Sequence, residues 1–297
     1  MLVVSPSLQL VTSVKQYLDT LFTIKDLGVA RYFLGLQISR SNEGLSLTEM
    51  KYIHDILSDP GMLSAKSATT PLPQGVKLFA EAGSLLPDPE PYRRLVGRLL
   101  YLGFTRPGYP HISLFFSVSS SLQLRAYCDV DWVSCTVTKC SISGFCVFLG
   151  LALILWKTKK QATVSRSSAE AEYRSLAAMV CELQWLSYIL PALGVSPSLP
   201  IPMFYDNKVV FHIMANPVFH ERTKHLDIDC HVVRNQYHSG FVLPSFICSK
   251  EQLVDLFTKN LSGPLFASLL SKMDLFSLHL GPYCGGDCWN SYPASRA

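Results

Sequence analysis

No stretch of this chain is apolar for long enough to cross a bilayer as a helix: the most apolar run, Phe145 to Trp156, falls well short of the roughly 20 residues required. It reads instead as two buried strands meeting at Gly150. The first residues, "MLVVSPSLQLV", lack a basic region and a small-residue cleavage site, so no secretory signal is expected. Tight, even cysteine spacing is missing as well. Nine cysteines, an odd number scattered along the chain, argue against a secreted disulfide scaffold. They fit reduced thiols in an intracellular protein, cytoplasmic or nuclear, with no membrane partner. Strong charge of either sign is also absent: 26 Lys plus Arg against 22 Asp plus Glu leave a formal +4, which permits a nucleic-acid partner without demanding one.

What is present is enough apolar material, 48% of 297 residues, for one large domain or two modest ones. Clusters of Pro, Gly and Ser divide the chain. In residues 1–70, "SVKQYLDTLF" has helical spacing. The apolar run Tyr32 to Ile38, the turn Ser41 to Gly44 and the short Leu45 to Leu47 predict a hairpin leading into a helix near Glu49 to Leu57. Residues 71–119 read as a connection, proline-rich at first ("TPLPQG", "LLPDPEPY"), with a short basic amphipathic helix at "YRRLVGRLLYLGF".

From about Ser120 the pattern becomes three strands, a helix, a strand, helices, and a further strand and helix. "LQLRAYCDV" alternates, placing Leu122, Leu124, Ala126 and Cys128 on one face and Arg125, Tyr127 and Asp129 on the other, polar one. Antiparallel strands followed by strand–helix crossovers predict an α/β fold, a mixed sheet flanked by helices. The expected extent of this unit is residues 120–262, with 263–297 as a disordered tail.

Helix geometry separates two glutamates near Ser167. Ser167 followed three residues later by Glu170 is a capping box, which gives Glu170 a structural reading. Glu172 precedes Leu176 and Val180 by four and eight residues and shares their inward stripe, about 200° from Glu170. A carboxylate on a buried stripe needs a cation, a metal or a shifted pKa; the alternative is a solvated first-turn residue favoured by the helix dipole. Asp206 closes the buried strand "IPMFYD", and strand carboxyl ends are where α/β sheets bind ligands. Asp255 lies in "SKEQLVDLFTK", where Ser249 and Gln252 suggest another capping box and Asp255 has an equally good reading as a solvated helix residue. If Asp129, Glu172, Asp206 and Asp255 converge, their oxygens suit Mg²⁺ or Mn²⁺ rather than zinc, and two such ions would support in-line phosphodiester hydrolysis. Spacing alone does not show the convergence.

"AYCDVDW", "SISGFCVFLG", "WKTKKQATVSRSSAEAEYRSLA", "FYDNKVV", "NPVFHERTKHLDIDCHVVR" and "EQLVDLFTKNL" follow one another in order. Together they resemble the ribonuclease H domain of copia-type retrotransposon Pol polyproteins. "FTIKDLGVARYFLGLQISRSNEGLSLTEMKYIHDIL", "TTPLPQGVKL" and "YRRLVGRLLYLGFTRP" resemble the end of the reverse transcriptase of the same polyproteins. The resemblance implies a ribonuclease H-like fold after a small α+β remnant of reverse transcriptase. It also implies that Asp129, Glu172, Asp206 and Asp255 hold Mg²⁺ (or Mn²⁺) and cut the RNA strand of an RNA–DNA hybrid. Asp131 becomes a neighbour of the site. The family's paired polymerase aspartates precede the point matching "LVVSPS", so DNA synthesis is not expected from this chain, though the polymerase portion of a related Pol polyprotein is a candidate partner. A shortened connection after "TRP" leaves a second reading open, a decayed, inactive element with residual nucleic-acid binding.

Weaker signals remain. Lys157, Lys159 and Lys160 in "WKTKKQ" are candidate contacts to substrate phosphates, with an exposed strand end as the plain alternative. Asn207 and Lys224 are comparable candidates. His225, Asp227, Asp229 and His231 in "KHLDIDCH" suggest zinc, but the two histidines do not share a helix face and a polar helix surface is the simpler reading.

Overall fold

The computed structural model describes residues 1–5, 7–66, 68, 70–72, 76, 83–105, 112–207, 227–273 and 276–277. Helix α1 (Leu8–Leu21) starts at Ser7, whose hydroxyl accepts the Leu10 N–H. The predicted hairpin follows: β1 (Tyr32–Phe33), β2 (Leu36–Arg40) and β3 (Gly44–Thr48) are antiparallel neighbours, and α2 (Met50–Ser58) buries Ile53 and Ile56. Next come α3 (Glu90–Thr105) and β4 (Ile112–Ser117). Residues 71–119 are expected to form a connection with no strand, and β4 is the departure from that reading. It pairs antiparallel with β3, Leu47 opposite Leu114, and extends the N-terminal sheet.

The second sheet begins with the meander β5 (Leu124–Asp131), β6 (Ile142–Leu149) and β7 (Ala152–Lys160). The β6–β7 turn falls at Gly150 as predicted. Its φ is +60°, and a Cβ there would collide with Ser120 Oγ and the Ser121 carbonyl, so only glycine fits. Helix α4 (Ser168–Ala192) crosses to β8 (Ile201–Tyr205), which lies parallel to β5; α5 (Asp227–His238) precedes β9 (Val242–Phe246), parallel to β8. The strand order is β7-β6-β5-β8-β9, with β5 central. A 3₁₀ turn (Ser249–Glu251), the one-turn helix α6 (Asp255–Thr258) and α7 (Gly263–Lys272) follow. Strand β10 (Phe276–Ser277) returns to pair with β4.

A central strand is packed on both faces. Leu124, Ala126 and Cys128 lie under α4 and α5 with Phe145, Val147, Leu176 and Val180. The face expected to be polar is covered too: Tyr127, Cys146, Phe148 and Leu153 pack against Leu253, Val254, Phe266 and Leu269. Tyr127 stacks on Phe204 with ring centroids 4.8 Å apart. The tail expected to be disordered from residue 263 is therefore ordered through α7, because Phe266 and Leu269 are buried, each stabilising the fold by roughly 1.5–3 kcal/mol. Residues 278–297 lie outside the described residues. Among the described residues no helix is long and apolar enough to cross a membrane.

Candidate metal centre

Asp129 is brought to the site end of β5 by its register opposite Gly144 of β6. It is buried, 1% exposed, on the face that α6 covers. Gly144 permits that cover: a Cβ there would lie 2.5 Å from Thr258 Cγ2 and 2.7 Å from Val254 Cγ1. Both Asp129 oxygens are engaged. Oδ2 accepts from Thr258 Oγ1 at 2.7 Å, and Oδ1 from Lys259 Nζ at 3.1 Å. Segment 249–259 is further latched to the central strand by the buried Gln252, whose Nε2 donates to the Cys128 carbonyl at 2.9 Å. Gln252 and Ser249 thus do not form the capping box read from their spacing. Ser249 Oγ donates instead to Asp206 Oδ2 at 2.7 Å.

Glu172 reaches the site from the first turn of α4. Ser167 accepts the Glu170 N–H at 3.2 Å as the spacing predicts, while Glu170 Oε2 accepts from the N–H of Arg166, one residue before the cap, at 2.7 Å and Oε1 pairs with Arg174 at 2.7 Å. With the helix start so fixed, Glu172 lies on the buried stripe with Leu176 and Val180. It hydrogen-bonds Asn207, but Oε2 is buried with no hydrogen-bond partner. Burial first, then Asp129 and Asp206, push its carboxyl up to about 8.

Asp206 follows the last residue of β8, as expected for a strand-end ligand. Its carboxylate, with those of Asp129 and Glu172, offers oxygens that all lie within 4.8 Å of one another. Asp255 heads α6 and is buried, contrary to its reading as a solvated helix residue. It joins the group through Lys259, whose Nζ lies 2.7 Å from Asp255 Oδ1. Burial and then Asp129 push Asp255 up to about 7. Three carboxylates in mutual reach, one with an orphaned buried oxygen and a proton held abnormally tightly, fit a hard divalent cation.

The weaker candidates divide. Asn207 stands beside Glu172. Lys157 is committed to Glu182 of α4 at 2.9 Å, whereas Lys159 and Lys160 are exposed at the end of β7, an edge strand. Lys160 is opposite Ile142, itself opposite Asp131, which puts it two strands, roughly 10 Å, from Asp131. Asp131 is outside the carboxylate trio, and burial raises its pKa. Lys224 and His225 lie outside the described residues. His231 pairs with Asn235 at 3.0 Å on the exposed face of α5, a polar helix surface. The residues that sequence reasoning missed are Ser249, Gln252, Thr258 and Lys259. The signal for the last was its position four residues after Asp255.

The reverse transcriptase (RNA-dependent DNA polymerase) family model matches residues 1–74. The retrovirus-related Pol polyprotein from transposon RE2 of Arabidopsis thaliana is 37% identical over 307 residues, covering 92% of this chain and 21% of that protein. An uncharacterized mitochondrial protein of Arabidopsis thaliana is 39% identical over 203 residues, covering 57% of this chain and 84% of its own length. Among solved structures, the N-terminal RNase H domain of rv2228c from Mycobacterium tuberculosis, as a fusion with maltose binding protein, aligns over 51% of this chain and 98% of that chain at 13% identity and a TM-score of 0.34. The chain spans about a fifth of the length of the RE2 Pol polyprotein. With a mixed sheet in the order β7-β6-β5-β8-β9 behind a reverse-transcriptase segment, and with these relatives, the chain belongs to the copia-type retrotransposon Pol polyproteins.

Proposed function

We propose that this chain is a divalent-metal-dependent ribonuclease H that hydrolyses the RNA strand of RNA–DNA hybrids. The observation that carries the reading is the convergence of the buried Asp129 and Glu172 with the half-buried Asp206 at the ends of β5, α4 and β8, with Asp255 beside them. Asp129, Glu172 and Asp206 would hold one Mg²⁺ or Mn²⁺, and Asp129 with Asp255 a second. Such ions supply Lewis acidity and lower the pKa of attacking water. The chain's own residues supply the rest. Thr258 and Ser249 fix the orientation of Asp129 and Asp206, and Asn207 fixes Glu172. Lys159 and Lys160, at the same end of the sheet, meet backbone phosphates, so binding weakens as salt rises. Recognition then rests on helix shape, sugar hydroxyls and phosphates rather than base sequence.

The test is cleavage of a labelled RNA–DNA hybrid by the purified full chain with Mg²⁺ or Mn²⁺, alongside Asp129→Asn and Asp206→Asn. Both substitutions should abolish cleavage. Activity that survives them, or a wild-type chain that binds hybrid without ever cutting it, overturns the reading; the second result makes the chain an inactive binding relict.

A further inference from the structure

The carboxylate cluster is asymmetric. On the Glu172 side, Oε2 is buried with no hydrogen-bond partner. On the Asp255 side a cation is already in place: Lys259 Nζ bridges Asp129 Oδ1 at 3.1 Å and Asp255 Oδ1 at 2.7 Å. Lys259 is the residue just past α6, in extended conformation (φ −119°, ψ 151°), so its stem is not bound into the helix. Its side chain is 31% exposed, whereas those of Asp129 and Asp255 are 2% and 7% exposed, so the ammonium has a route to solvent that its partners lack.

We propose that Lys259 is the resident counter-ion of the Asp129–Asp255 pair, and that a second divalent cation must displace it there, while a first ion on Asp129, Glu172 and Asp206 need not. This rests on the metal-site reading of the trio. An ammonium nitrogen between two carboxylate oxygens occupies the space that an oxygen-ligated divalent ion would need, and its positive charge opposes that ion directly. The protein therefore holds Asp129 and Asp255 together without metal and takes two ions unequally.

The experiment is Mn²⁺ titration of the full chain, with free Mn²⁺ read by electron paramagnetic resonance, for wild type, Lys259→Gln, Lys259→Arg and Asp206→Asn. The wild type should bind one ion well and a second weakly. Lys259→Gln should tighten the second by about tenfold or more, the effect of removing a unit charge about 4 Å away in a partly screened site. Lys259→Arg, which keeps the charge, should leave the second ion weak. Identical isotherms for wild type and Lys259→Gln, with binding still lost in Asp206→Asn, overturn this proposal and leave the metal site standing; no Mn²⁺ binding by the wild type overturns both.

A wild-type measurement covers the case in which Lys259→Gln does not fold. Acetylation of lysines followed by mass spectrometry should find Lys259 protected in chelator and reactive at Mn²⁺ levels that fill the second position. Unchanged reactivity across that range overturns the proposal.

Discussion

Replacing Glu172 by Gln should make the ion-free protein more stable while removing its tight metal binding. The wild-type carboxyl is raised from 4.5 to about 8. Such a group binds its proton more strongly folded than unfolded, so the folded state loses stability as pH rises from about 4.5 through about 8, and none of that loss is present below the unfolded value. At pH 7 the loss is on the order of 3 kcal/mol, and at pH 5 about 1 kcal/mol, taking one pKa unit as about 1.4 kcal/mol. Gln keeps the shape and still accepts from Asn207, but it never carries the charge. Urea denaturation in chelator should therefore show the variant more stable than wild type, with a gain at pH 7 clearly larger than at pH 5. Saturating Mg²⁺ should reverse the order, because the wild type gains the larger binding free energy. An equal effect at both pH values, or a loss of stability at pH 7, would refute the electrostatic account of this side chain.

Other outcomes follow from the same geometry. Gly144→Ala inserts a methyl at 2.5–2.7 Å from Thr258 and Val254 and should cost about 1–3 kcal/mol while pushing α6 off Asp129; thermal melting and hybrid cleavage should both fall, and cleavage at the wild-type rate would show that α6 need not touch the sheet. Because Glu172 retains its proton near neutrality, Mn²⁺ binding at pH 6.5 should release about one proton, and at pH 9 almost none, as read by calorimetry in buffers of different ionisation enthalpy.

Local pattern located some of this site and missed the rest for a definite reason. The Ser167–Glu170 cap and the Leu176–Val180 stripe together place Glu172 inward, and both are properties of one helix that no tertiary contact has to confirm. The alternation of β5 correctly puts Leu124, Ala126 and Cys128 on one face. It misjudges the other, because Asp129 is covered by residues about 130 positions later, through Thr258 and Lys259. The N-terminal hairpin was legible from its turn, yet β4 was not, since its place beside β3 depends on pairing across the whole α2–α3 segment. Ser249 and Gln252 have the spacing of a cap and spend their side chains on Asp206 and Cys128 instead.

Helix α7 bears on how this protein can be cut for study. A fragment ending at residue 262, where the expected nuclease unit stops, would keep Asp129, Glu172, Asp206 and Asp255. It would nonetheless strip Phe266, Leu269 and Met273 from the face formed by Tyr127, Cys146 and Phe148. The rings so bared lie in and beside the strand that carries Asp129, and such a fragment would be prone to self-association through them. Expression boundaries should therefore run past Met273, treating α7 as a wall of the fold rather than as a trailing end.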